Sequence, residues 1–413
     1  MYKKNRYNVV TMSHEELSQE TIKYIKSTGL EHRKKLGQYF TPKTLREALL
    51  DKLPKIKKAK ILDPAGGSGE FILTTKKYFP DATIHSWEID PKLVSISKRI
   101  APYASIECVD SLTKEDEGDF DFVIGNPPYF EFKPDKKTRE RYREILNGRV
   151  NIYGIFVYKG IKLLRDGGYL AFVTPPSMNN GAYFSKLRNF IVDNCNIEYL
   201  SIQKVSGLFE DALQSVMLLV LKKGPNKGDY IFKKNGILIF SEKISYLEKT
   251  FKNSTTLRDL GYKVRTGRLV WNQNKESLSH NPTDAVPLIW SHNITKNGLE
   301  LENKIAKPQF VKTESYEKGP VIVTNRIIGQ PGKGSLKAAL IPSRFTFIAE
   351  NHVNVIYPPC QQNLLDDKKA IITLKEIIKQ LNSPQNAEIL FSLTGNTQIS
   401  KNELENLFPI KVA

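Results

Sequence analysis

Cysteine is scarce in this chain of 413 residues: there are three, Cys108, Cys195 and Cys360, widely spaced and odd in number. That excludes a disulfide framework and the paired spacing of a structural zinc site, and it suits a reducing compartment. The six histidines are dispersed as well, so no metal centre is expected. No apolar run approaches the ~20 residues of a membrane helix, and no signal-like segment stands near the N-terminus. Internal repeats and low-complexity tracts are also lacking. These absences predict a soluble, cytoplasmic protein. A glycine-rich turn is present near residue 66, but no Gly-Lys-Ser/Thr follows it, which excludes a nucleotide-triphosphate loop of the Walker type. The full Gly-x-Gly-x-x-Gly dinucleotide spacing is missing too. Acids are outnumbered, 44 against 62 Lys and Arg, for a net charge of +18. A solvated lysine-rich surface gives the same count. An excess of this size nevertheless favours a polyanionic partner, through counterion release at phosphates.

What is present is concentrated at the ends of strand-like runs. The apolar run 120–124 leads directly into Asn126-Pro127-Pro128-Tyr129. Two adjacent prolines fix the backbone and remove two amide donors, and the residue before each is pushed away from helical angles. The product is a rigid extended turn whose carbonyls are free to accept. The Asn126 side chain and the Pro127 carbonyl can then face one NH2 group, with the Tyr129 ring as a platform for a planar group. A proline-stiffened loop after any strand is the bland alternative.

Upstream, Ile61-Leu-Asp63-Pro64-Ala65-Gly66-Gly67-Ser68-Gly69 runs from a strand through a glycine turn towards a helix. Open α/β sheets bind ligands at such places. The next strand-like run ends at Glu88-Ile89-Asp90, where a ribose-binding carboxylate is usual, and a third ends at Asp110. Successive strand ends thus carry a glycine turn, an acid, an acid and a polar clamp. For Glu88 and Asp110 the plain alternative is a cap on the following helix; Asp90, before Pro91, is read as such a cap.

With these motifs in this order, the chain resembles the S-adenosylmethionine-dependent methyltransferases that modify adenine N6 in DNA, in the gamma group typified by TaqI-like type II modification enzymes. Leu36-Gly-Gln-Tyr39-Phe40-Thr41-Pro42 is similar to their N-terminal motif, residues 63–71 to their cofactor loop, and 151–156 to the stretch after the catalytic turn. The resemblance implies that Thr41, Ala65, Gly67 and Gly69 hold the methionine part of S-adenosyl-L-methionine, and that Asp63 orients the loop or meets the ammonium. It implies Glu88 on the ribose hydroxyls, Ile89 and Pro128 on the two faces of the cofactor adenine, and Asp110 on its amine. Asn126, Pro127 and Tyr129 then form the clamp for the target base, with Phe209 on its other side. Simple core packing is the alternative for Phe209. The implied partner is double-stranded DNA, with the target adenine extruded from the stack. The resemblance also implies a monomer, nucleoid-associated, with a cognate restriction endonuclease acting separately if one exists.

Alternating strand and helix signals from residue 60 to 222 predict a Rossmann-like, doubly wound, mostly parallel sheet. Helices are expected from a capping box at Ser13–Glu16 to Ser27, from Thr41-Pro42 onward, over 91–100, 152–164 and 181–194. The charged segment 133–148 reads as mobile. Residues 1–243 form the catalytic domain, with 1–30 an N-terminal extension, and 244–413 a mixed α/β target-recognition domain. In the latter, short β-like runs stand at 286–290, 320–324, 338–341 and 352–357, with helices from 374 and 386. Arg258, Arg265, Arg268, Arg326 and Lys333 are scattered among them, and 329–335 is a basic glycine loop. A glutamine-N5 methyltransferase uses the same tetrapeptide but lacks a long C-terminal region. An RNA-adenine enzyme is harder to separate, because the clamp does not see the sugar. A nucleic-acid-binding protein with a dead core is the remaining class, and no required residue type is missing.

Overall fold

The computed structural model describes residues 9–11, 16–115, 118–206, 214–301, 307–327, 335–359, 367–394 and 398–411. By internal contacts the chain divides into two compact units, Met1–Ile231 with Phe240–Glu242, and Phe232–Ile239 with Lys243–Ala413.

In the first unit, chain order runs β1 (Val9–Thr11), α1 (Gln19–Ser27), α2 (Leu30–Lys35), α3 (Lys43–Leu50), β2 (Lys60–Asp63), α4 (Glu70–Tyr78), β3 (Thr83–Glu88), α5 (Pro91–Ile100), β4 (Ser105–Cys108) and β5 (Phe120–Gly125). There follow β6 (Glu131–Phe132), α6 (Lys136–Arg141), β7 (Val150–Asn151), α7 (Ile152–Leu163), β8 (Leu164–Thr174), α8 (Ser185–Asn194), β9 (Cys195–Ser206) and β10 (Gln214–Lys223). Eight of these strands make one sheet, ordered β1-β9-β10-β8-β5-β2-β3-β4. Its neighbours are parallel except for β10, which runs antiparallel to both β8 and β9. This is the doubly wound, mostly parallel architecture the sequence predicts. Central strands of such a sheet are covered on both faces and must be apolar throughout. Ile61, Leu62, Phe122, Val123, Ile124, Leu170 and Phe172 are all fully buried. One face packs Leu49, Leu50 and Phe79 against Phe122, Ile124 and Ala171.

From β2 the chain steps outward through β3 to β4, then returns to β5 and steps the other way to β8. The order therefore reverses between β2 and β5. Loops leaving the carboxyl ends of these two strands diverge and open a crevice there.

Several local expectations need correction. Segment 133–148 is not a free loop: Asp135 caps α6 by accepting from Thr138 N at 2.7 Å, and Tyr142 and Ile145 are buried. Charge density hid two apolar anchors. The capping box at Ser13 lies largely outside the described residues; α1 is capped by Ser18, which accepts from Thr21 N. Pro42 is the N-cap of α3 rather than a residue of its first turn. The helix expected from 181 begins at Ser185, after a short 3-10 turn at Ala182–Phe184.

The second unit is mixed α/β. A four-stranded antiparallel sheet has the order Lys263–Thr266, Val353–Tyr357, Val321–Asn325, Ala338–Ile341. A five-stranded sheet contains Val286–Ile289 beside Thr346–Ala349. Helices Asp367–Leu381, Asn386–Thr394 and Lys401–Leu407 follow. Leu374, Leu381, Leu390 and Leu404 pack with Val264, Ile322 and Ile356 in one core. The four expected β-like runs all fall on strands, and the first helix starts seven residues before the expected Leu374.

Candidate functional site

A cavity of about 320 Å³ sits at the carboxyl ends of β2, β3 and β5. Thr41, Asp63, Ala65, Gly67, Glu88, Ile89, Asp110, Asn126 and Pro128 all line it. Residues far apart in sequence meet here because the parallel sheet points every strand's carboxyl end to one edge. Gly69, Pro127 and Tyr129 are adjacent in the chain but are not part of the wall. Phe209 lies outside the described residues. The wall also includes Phe130 and Phe156 from the marked motifs, and residues the sequence did not single out, among them Phe132, Leu112 and Thr113. The size is that of a small-molecule site.

The glycine turn is built by two carboxylates. Asp63, 1% exposed, accepts from Ala65 N at 3.1 Å and so folds the start of the turn back onto β2. Glu88 accepts from Gly67 N and from Asp90 N, both at 2.8 Å, bracing the turn against the end of β3. Gly66 is required by close approach: a Cβ there would stand 1.9 Å from the Ser86 hydroxyl oxygen. Burial drives the Asp63 carboxyl up to about 7, opposed by the Ala65 amide and aided by the Glu88 charge. Burial likewise raises Glu88, against the pull of the Asp90 and Gly67 amides. Both acids are thus held where ionisation is costly unless a ligand supplies positive charge or donors. Asp110 accepts from Leu112 N at 2.9 Å, a cap on the turn that follows, while also lining the cavity. Asp90 is the helix cap: Lys92 N donates to it at 2.8 Å. Ile89, by contrast, is 62% exposed, an apolar side chain at the cavity mouth.

Asn126 follows the last residue of β5. Its Nδ2 donates to the Tyr39 carbonyl at 3.1 Å. A carbonyl can only accept, so this bond fixes which end of the amide is which. Oδ1 is then the acceptor and receives the Tyr129 hydroxyl. That hydroxyl also lies 2.8 Å from the Val173 carbonyl at the end of β8. The Tyr129 ring stacks on Tyr39 at 5.9 Å and meets Tyr153 edge-on at 6.0 Å. Burial pushes the Tyr129 phenol well above its usual range, so it is a neutral donor. Gly37 lets the 36–42 segment approach this turn: a Cβ there would fall 2.8 Å from both Pro128 and Phe130. Tyr39 and Tyr153 are thus the aromatic supports of the Asn126–Tyr129 turn. Both stand in motifs the sequence marks, but nothing in one dimension pairs them with Tyr129.

A buried ion pair secures the same wall. Arg46, 3% exposed, lies 3.0 Å from Glu70 and donates to the Thr41 carbonyl at 2.7 Å and to Thr74 Oγ1 at 2.9 Å. The other Glu70 oxygen receives Ser18 N at 2.8 Å, Ser18 Oγ at 2.6 Å and Thr21 Oγ1 at 2.7 Å. A buried pair holds only if its spare lone pairs and protons are also satisfied, and here they are. The network ties α1 and α3 to the first turn of α4. Arg46 stands at an amphipathic-helix position that reads as surface in sequence, so only the packing reveals it.

Comparison with known proteins gives consistent matches. Residues 32–209 match the Eco57I restriction-modification methylase family. The modification methylase CviBIII of Paramecium bursaria Chlorella virus NC1A is 29% identical over 326 residues, 78% of this chain and 82% of that one. The type II methyltransferase M.BsuBI of Bacillus subtilis is 26% identical over 378 residues, 76% of this chain and 75% of its own length. Among solved structures, the M protein of the type I restriction enzyme EcoKI is 20% identical, covers 46% of this chain and 44% of that chain, and superposes with a TM-score of 0.40. The chain is homologous to restriction–modification methylases. Among the described residues, no helix is long and apolar enough to cross a membrane.

Proposed function

We propose that this protein is a DNA adenine-N6 methyltransferase that uses S-adenosyl-L-methionine and serves as the modification enzyme of a restriction–modification system. The observation that carries the reading is the placement of Asn126 and Pro128 on the wall of the same cavity that the glycine turn lines. An amine acceptor and a cofactor-type loop thus open on one space. The residues fit S-adenosylmethionine. Among the described residues Thr41 Oγ1 is a buried hydroxyl on that wall with no hydrogen-bond partner, and burial holds the Asp63 and Glu88 carboxyls above their usual range, so donors from a ligand would favour their charged forms. Thr41, Asp63, Ala65 and Gly67 would hold the methionine part, Glu88 the ribose hydroxyls, Ile89 and Pro128 the adenine faces, and Asp110 the amine. When bound, the cofactor supplies a methyl on a sulfonium centre, electrophilic without further activation.

The protein's task is then to make a poor nucleophile competent. The adenine N6 lone pair is delocalised into the ring. The Asn126 carboxamide is held through its Nδ2 by the Tyr39 carbonyl, and its oxygen has a second lone pair beside the one that takes the Tyr129 hydroxyl. That oxygen and the Pro127 carbonyl each accept one N6–H, which draws the nitrogen towards tetrahedral geometry and localises the pair. This is catalysis by orientation and placed dipoles. The extruded base stacks on Tyr129 on the side away from Tyr39. A duplex adenine cannot enter such a pocket, so flipping is required. Nucleoside mass spectrometry on duplex DNA incubated with protein and S-adenosylmethionine tests the reading. N6-methyladenine from the wild type and none from Asn126→Ala supports it; methylated RNA or protein glutamine, with DNA unmodified, refutes it.

A further inference from the structure

Directly after the catalytic turn the chain leaves the sheet at β6 and returns at β7, where Glu131 and Phe132 pair with Asn151 and Val150. The excursion between them, residues 133–149, carries seven Lys and Arg against three acids. All seven cations are exposed. Arg141, Arg143 and Arg149 have carboxylate partners, Glu115, Glu140 and Glu131. Lys133, Lys136, Lys137 and Arg139 form no ion pair among those of the described residues. A merely solvated helix face usually interleaves its charges so that neighbours neutralise each other; this one leaves four cations unbalanced beside the site.

The excursion is also fastened to the cavity wall. The Tyr142 hydroxyl donates to the Leu112 carbonyl at 2.7 Å and Arg141 donates to the same carbonyl at 3.1 Å. Ile152 N donates to the Phe130 carbonyl at 3.1 Å, closing its base. Thr138 of the excursion and Phe132, just before it, line the cavity together with Leu112 and Thr113. Thr138 therefore borders the small-molecule site, while its neighbours Lys136, Lys137 and Arg139 are exposed.

We infer that residues 133–149 are a phosphate-gripping flap that holds the sugar–phosphate backbone of duplex DNA next to the catalytic turn. The inference rests on the DNA-methyltransferase reading and adds to it a positioning surface outside the second unit. Phosphate contacts fix register without reading sequence, and a base can leave the stack into a rigid clamp only if its backbone is held close by. An unbalanced, rigidly mounted cationic face meets that need by charge complementarity.

The test compares wild-type protein, the variant Lys136→Gln/Lys137→Gln/Arg139→Gln, and a control with equal charge loss, Lys55→Gln/Lys57→Gln/Lys58→Gln, before the amino end of β2. Affinity for a fluorescent duplex is measured by anisotropy between about 50 and 200 mM salt, beside S-adenosylmethionine affinity and methyl transfer to the same duplex. Each lost phosphate contact lowers the magnitude of the log K against log salt slope by about 0.9, so the flap variant falls by about 2 to 3. The control keeps the wild-type slope, and cofactor affinity is unchanged in both. If the wild type methylates the duplex while the flap variant keeps its slope, the flap inference falls and the enzyme reading stands. The same holds if the control loses as much slope as the flap variant. If the wild type puts no methyl into DNA, the reading falls and the flap with it, and an acidic protein becomes the partner to seek.

Discussion

The Asp63 carboxyl offers the sharpest quantitative test. It is 1% exposed, and burial holds it near 7 against an ordinary 3.8. Between about pH 4 and 7 the folded protein keeps a proton there that the unfolded chain has released. Stability therefore declines as pH rises through that window, and the cost is complete above it. The shift of about 3 units corresponds to about 4 kcal/mol in full, of which rather more than half develops between pH 5 and pH 8. Asp63→Asn keeps an oxygen for the Ala65 amide and cannot ionise. Without ligand, urea unfolding should show Asp63→Asn gaining on the wild type by about that amount from pH 5 to pH 8. A stability difference independent of pH would show that Asp63 ionises normally and that the desolvation argument is wrong. The same carboxyl separates its two proposed roles. If it meets the cofactor ammonium, wild-type affinity for S-adenosylmethionine weakens about tenfold from pH 8 to pH 6, since the proton must leave first. If it only orients the turn, affinity is flat across that range.

Other perturbations follow from the same geometry. Asn126→Ala should abolish methyl transfer while calorimetry finds cofactor affinity within a factor of a few, because the proposed mechanism has its oxygen accept from the target amine; equal loss of both would place Asn126 on the cofactor instead. Arg46→Met leaves Glu70 buried with its partner gone and should cost about 3–5 kcal/mol in denaturant unfolding, with Arg46→Lys recovering part of it; a loss under about 1 kcal/mol would mark the pair as a surface-like bridge. Gly66→Ala drives a methyl into the Ser86 hydroxyl and should lose cofactor binding. Adding Ser86→Ala removes a buried hydroxyl that has no hydrogen-bond partner among the described residues and should restore it. Failure of the double variant to recover binding would mean that the turn rejects any Cβ for backbone reasons.

The sequence alone determined the repeating strand–helix order and the chemistry at each strand end. Apolar runs of strand length between turn signals fit interior strands of a sheet, and proline and glycine shape their turns locally. That is why 61–63, 83–88 and 120–125 were legible with their loops, and why Asp90 could be read as a cap. Tertiary structure decided what depends on distance through space. It brought Tyr39 under Asn126 and Tyr129, and it set Arg46 against Glu70 and the α1 cap. It also turned the charged stretch after the Asn126–Tyr129 turn into an anchored excursion, because Tyr142 and Ile145 are buried there and Tyr142 meets the Tyr158 ring and the Leu112 carbonyl, contacts that no local window contains. The carboxyl of Asp63 makes the division plain. Its position before the glycine turn is written in the chain, but its proton affinity follows from the desolvation that only the closed sheet imposes.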